Sequence, residues 1–127
     1  MKYLLDTHSL IWFIEGDSRS GTSAKEAIEN ADNDIYLSIG SPWEISIKNS
    51  LGKLSIKRPY ENIIEQIDRN EMEILPITFY HTVIINKLPF HHKDPFDRLI
   101  AAQAIAESLT VIGKDEGLDL YGVKRLW

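Results

Sequence analysis

Short apolar runs rich in β-branched and aromatic residues alternate with longer segments of helical spacing along this chain. That alternation restricts it to an α/β sandwich with a mostly parallel sheet. The strand candidates are Tyr3 to Asp6, Ile35 to Ile39, Met72 to Leu75, Leu109 to Ile112 and Val123 to Leu126. Between the first two, Leu10, Ile11 and Ile14 carry helical spacing through Thr7 to Phe13, and Ser23-Ala24-Lys25-Glu26 reads as a capping box opening a helix to about Ala31. Ser41-Pro42-Trp43-Glu44 starts the next helix, with Glu44 completing a capping box on Ser41 and Gly52 supplying the stop. Pro59 to about Asn70 is amphipathic, with Tyr60, Ile63, Ile64 and Ile67 on one face, and Thr78 to about Leu88 is helical. At 127 residues the chain suits one domain, residues 1–127, with a substantial core.

The last helix, Asp94 to about Glu107, has the most clearly written start. Asp94 suits the N-cap, Pro95 the first helical position, and Asp97 then falls in the positive end of the helix. Ala101, Ala102 and Ala104 let this helix lie close against a neighbour. His91 and His92 precede it on a loop; adjacent rings do not face one metal easily, so they are not expected to be ligands.

Composition removes several classes. With no Cys, disulfide frameworks and thiolate zinc sites are excluded, and the chain fits a reducing compartment. Met1 to Trp12 imitates a signal peptide, but Asp6 and His8 interrupt the apolar run and no small-residue cleavage site follows. No apolar run approaches membrane-spanning length. The net charge of −5 argues against a pure nucleic-acid binder and suits an enzyme whose acids gather in one metal pocket.

With 19 acids in the chain, position decides which matter. Sites in open parallel sheets form beyond the carboxyl ends of the strands. Asp6 closes strand one, Asp115 follows strand four after Gly113-Lys114, Glu44 opens the helix after strand two, and Asp97 opens the helix before strand four. Asp97 joins the others only if the Thr78 helix and its loop stay at, or return to, the carboxyl end of the sheet. Each acid also has an ordinary structural use: Glu44 can pair with Lys48, Asp97 favours the helix dipole, and Asp115 suits a turn. Two carboxylates ~5 Å apart repel by roughly 3 kcal/mol at an effective dielectric of 20, so a convergent group calls for a cation. Oxygen ligands suit Mg²⁺ or Mn²⁺, which can polarise a phosphodiester. Lys48, Lys53, Lys57, Arg58, Arg98 and Lys114 are available to track a phosphate backbone.

Four segments resemble a known family. They are Leu4-Leu5-Asp6-Thr7-His8, then Ser41 to Lys48 with Gly52-Lys53-Leu54, then Leu88-Pro89 through Asp94-Pro95-Phe96-Asp97-Arg98 to Ala104, and Val111 to Asp115 with Tyr121-Gly122-Val123 and Trp127. In order and extent they resemble PIN-domain ribonucleases of the VapC-like toxin group. The resemblance implies a three-layer α/β/α sandwich with a mostly parallel sheet and an acidic pocket of Asp6, Glu44, Asp97 and Asp115. Asp6 and Asp97 are then the principal Mg²⁺ ligands, with Mn²⁺ able to substitute. Asp115 completes or assists the metal site, and Glu44 supports metal binding or water activation. It further implies RNA cleavage, structured RNA such as tRNA being a candidate substrate. A cognate antitoxin that blocks the pocket, homodimers and a cytoplasmic location complete the expectation.

One position departs from the pattern. Gly113 stands two residues before the last acid, where the family usually has Thr or Ser. Loss of that hydroxyl is expected to weaken the fourth acid by about 10–100-fold in affinity or activity without abolishing the site. Two other readings fit parts of the chain. Asp6-Thr7 invites an aspartate-nucleophile phosphatase, although His8 stands where that pattern wants a second Asp. A PIN-like module with a degenerate site, binding RNA or protein without cutting, rests on Gly113 alone.

Overall fold

The computed structural model describes all 127 residues, Met1 to Trp127. Its sheet has five parallel strands in the order β3-β2-β1-β4-β5: β1 (Lys2–Leu5), β2 (Asp34–Ser38), β3 (Glu73–Leu75), β4 (Thr110–Ile112) and β5 (Arg125–Leu126). Helices α1 (Thr7–Glu15) and α2 (Thr22–Glu29) connect β1 to β2, and α3 (Gly40–Ser50) and α4 (Ile63–Arg69) connect β2 to β3. Helices α5 (Phe79–Lys87) and α6 (Pro95–Glu107) lead from β3 back across the sheet to β4. The chain moves outward on one side of β1, then returns to its other side, so the strand order reverses between β1 and β4. A crevice opens beyond the carboxyl ends of strands at such a reversal.

The strands read as nearly continuous apolar runs because both sheet faces are covered. Tyr3 and Leu5 of β1 face one core with Leu10, Ile11, Ile28, Leu37, Ile45 and Ile112. Leu4 faces the other core, with Ile100, Ala101, Ala104, Val111 and Val123. The period-2 alternation of a strand thus divides β1 and β4 between two helical layers, giving the expected α/β/α sandwich. The small residues of α6 serve the expected purpose, Ala101 and Ala102 being fully buried.

Helix α5 runs antiparallel to α6, which settles how Asp97 reaches the crevice. His81 near the start of α5 lies by Glu107 at the end of α6, while Arg98 near the start of α6 binds carbonyls at the end of α5. The chain therefore returns to the carboxyl edge of the sheet before α6 begins.

Three local expectations are corrected. Helix α3 begins at Gly40 after Ile39, with no side-chain cap. Ser41 does not cap it, because its hydroxyl is used inside the fold as the acceptor of a 3.0 Å hydrogen bond from Thr7 Oγ1. Helix α2 begins at Thr22 after Gly21, again without a side-chain cap, so Ser23 lies inside the helix. The amphipathic stretch from Pro59 divides into a 3-10 turn, Tyr60–Asn62, followed by α4. No helix is long and apolar enough to cross a membrane.

Candidate metal centre

Two turns at the carboxyl edge of the sheet and the start of α6 supply the site. Asp6 extends the pairing of β1, its N–H donating to Ile112 O at 3.0 Å, and its Oδ1 caps α1 by accepting from Ser9 N at 2.8 Å. Asp94 caps α6 as expected, accepting from the N–H groups of Phe96 and Asp97, with Pro95 in the first turn. This places Asp97 at the third helical position beside the crevice. Beyond β4 the chain enters a 3-10 turn, Glu116–Tyr121, capped by Asp115, whose Oδ1 accepts from Gly117 N at 2.8 Å.

Ligand atoms of His92, Asp97 and Asp115 all lie within 4.8 Å of one another. Asp6 stays outside this trio, held by its cap, but its charge and that of Asp115 act on each other. Glu44 is buried and forms an ion pair with Lys48 one turn on, as its spacing suggested. Its charge is felt by Asp97.

The electrostatics reflect crowded acids. Burial pushes the Asp6 carboxyl up, with Ser9 hydrogen bonding and His8 opposing and Asp115 adding to the rise. Asp97 is pushed up to about 6, first by burial, then by the charge of Asp94. Asp115 behaves differently. Burial raises it, but the His92 and Gly117 hydrogen bonds and the charges of His92 and Arg125 outweigh burial and hold it below the usual carboxylate range. Desolvated, mutually repelling carboxylates with open lone pairs form a donor set that suits a hard divalent cation.

Of the two adjacent histidines, only His92 reaches the acid group. His92 was not expected in the acid group, yet its Nε2 lies 2.6 Å from Asp115 Oδ2. His91 instead packs edge-on against Tyr121, with ring centroids 5.0 Å apart. Arg98 is also corrected: it is buried, donates to the carbonyls of Pro89, Ile85 and Leu88, and lies over the Phe90 ring, so it faces no substrate. Lys48 and Lys53 line a groove with Thr7, His8 and Glu44. Lys57 and Arg58 line a separate one with Ile14 and Ile63.

The reversed sheet order and the acid-lined crevice at its switch point define an α/β protein with a candidate cation pocket. The PIN domain family matches residues 3–124, and the chain belongs to that family. No curated protein matches the sequence significantly. Solved structures share the fold at low identity. VapBC2 from Rickettsia felis, bound to a DNA fragment from their promoter, superposes with a TM-score of 0.68 at 20% identity, covering 99% of this chain and 98% of that chain. VapBC-1 from nontypeable Haemophilus influenzae gives 0.65 at 16% identity, covering 99% and 97%. FitAcB from Neisseria gonorrhoeae gives 0.64 at 20% identity, covering 98% and 96%.

Proposed function

We propose that this protein is a metal-dependent endoribonuclease acting as the toxin of a toxin–antitoxin pair. The observation that carries the reading is the gathering of Asp97, Asp115 and His92 within 4.8 Å of one another. Membership of the PIN family supports nuclease chemistry, and the fold shared with the VapBC and FitAcB proteins supports the toxin assignment. Asp97 and Asp115 would hold Mg²⁺, or Mn²⁺ in its place, with Asp6, whose Oδ1 is taken by its cap and whose charge acts on Asp115, contributing from outside the trio. The ion supplies Lewis-acid polarisation of an RNA phosphodiester when bound. Glu44 orients or deprotonates the attacking water, and Lys48 fixes the Glu44 side chain. Lys53 and Lys48, on the neighbouring groove, meet substrate phosphates. A cognate antitoxin, a homodimer and a cytoplasmic location belong to the same reading. Gly113 leaves room for the Asp6 carboxylate, a Cβ there falling 2.9 Å from Asp6 Cγ, which supports an intact pocket over a degenerate one.

The test is cleavage of a mixture of structured RNAs, including tRNA, by purified protein in Mg²⁺ or Mn²⁺ against EDTA, beside Asp97→Asn. Metal-dependent cleavage lost in the variant is expected. An intact RNA pool with folded, antitoxin-free wild type would overturn the reading.

A further inference from the structure

We propose that His92 is a positioning residue: it anchors the Asp115 carboxylate at the candidate metal centre by donating from Nε2, and is not itself a ligand. The inference rests on the reading of Asp115 as part of that centre, but not on RNA being the substrate.

A carboxylate only accepts hydrogen bonds, so the 2.6 Å approach of Nε2 to Asp115 Oδ2 requires a proton on Nε2 whatever the ring's charge. A nitrogen that carries its proton has no lone pair for a metal. The ring's other side is also held. Tyr121 Oη accepts from the His92 backbone N–H at 2.8 Å and lies 3.2 Å from Nδ1, able to donate to the neutral ring or accept from the charged one. The Tyr121 ring stacks on the imidazole with centroids 5.5 Å apart. Gly117 allows this fit, because a Cβ there would lie 2.9 Å from His92 Cε1 and 3.0 Å from Asp115 Oδ1.

The consequence falls on Asp115. Its Oδ1 accepts from Gly117 N and its Oδ2 from His92, so both oxygens are oriented while each keeps a further lone pair free, with one of them within 4.8 Å of an Asp97 carboxylate oxygen. Position 113 has no hydroxyl to help orient the pocket, and the imidazole supplies an anchor from a different loop. Outer hydrogen bonds of this kind are commonly worth 10–100-fold in metal affinity.

Mn²⁺ affinity, read by electron paramagnetic resonance, tests this on wild type, His92→Ala and His92→Gln. His92→Ala is expected to lose about 10–100-fold. His92→Gln, whose amide can still donate to Asp115, is expected to retain most of the affinity. Long-range ¹H–¹⁵N spectra should show Nε2 protonated without metal and still protonated in saturating Mg²⁺. If His92→Ala does not fold, Tyr121→Phe replaces it, removing the hydroxyl that holds the imidazole, and is expected to weaken Mn²⁺ binding. Loss of the Nε2 proton on Mg²⁺ binding would make His92 a ligand, and equal loss in the Gln and Ala variants would remove the donor role; either overturns the proposal. Full affinity in His92→Ala, full affinity in Tyr121→Phe where it stands in, or no Mn²⁺ binding by wild type would overturn it as well. Wild type that binds Mn²⁺ with the expected dependence but leaves RNA intact would sink the nuclease reading and support this one.

Discussion

Gly113 packs directly against the Asp6 carboxylate: a Cβ at position 113 would lie 2.9 Å from Asp6 Cγ, and nearer still to Oδ2. The glycine that looked like a lost hydroxyl therefore creates the space that Asp6 occupies. Gly113→Ala is expected to push the carboxylate aside and weaken its cap on Ser9 N. The cost should be about 1 kcal/mol, since a carboxylate end can swing but a lost cap is typically worth that much. Urea midpoints of the metal-free proteins check this. An unchanged midpoint would mean that Asp6 has another rotamer of equal energy.

Arg98 donates to three carbonyls where α5 ends and α6 begins. Lysine cannot span this fork, and the partly buried carbonyls it abandons lose charged partners. Arg98→Lys should therefore destabilise the fold by about 1.5–3 kcal/mol. Equilibrium unfolding would reveal the loss, and wild-type stability would show the guanidinium to be dispensable there.

How much of this was legible in the sequence differs by residue. The start of α6 was readable because capping is local: Asp94, Pro95 and Asp97 act within one turn. The strands were readable because both faces of a parallel sheet are buried, leaving apolar runs. His92 was not, because its partners Asp115 and Tyr121 lie 23 and 29 positions away. Arg98 resembled a surface cation, and its burial follows from α5 turning back antiparallel to α6. Ser41 fitted a capping box by spacing, but its hydroxyl meets Thr7, 34 positions earlier. Position-by-position chemistry finds carboxylates at strand ends; it does not find contacts that only the fold creates.

Metal binding should stabilise the folded chain, because the unfolded chain has no convergent acids. At a free Mn²⁺ concentration 100 times the dissociation constant, linkage gives about 2.7 kcal/mol. Asp97→Asn should lose most of that increment, while EDTA should leave both proteins at their metal-free values. Thermal melts with and without Mn²⁺ measure it. Equal metal-induced shifts in the two proteins would place the ion away from Asp97.

Asp97 should also set a pH dependence whose direction reverses when metal is added. Its carboxyl stands at about 6 in the folded protein against 3.8 for the free group, raised by burial and then by Asp94, with Glu44 and Asp115 adding and His92 opposing. Between those two values the folded chain holds a proton that the unfolded chain has released. Its contribution to stability therefore falls as pH rises through that window and is constant above it. In EDTA, Asp97→Asn should unfold at higher urea than wild type above pH 6, with the advantage shrinking toward pH 4. With Mn²⁺ present, the same proton competes with the ion, so wild-type affinity should rise as pH increases through about 6. Urea midpoints and Mn²⁺ titrations across this range give both slopes. Parallel wild-type and Asp97→Asn stability profiles in EDTA would show that the buried carboxyl carries no such charge penalty.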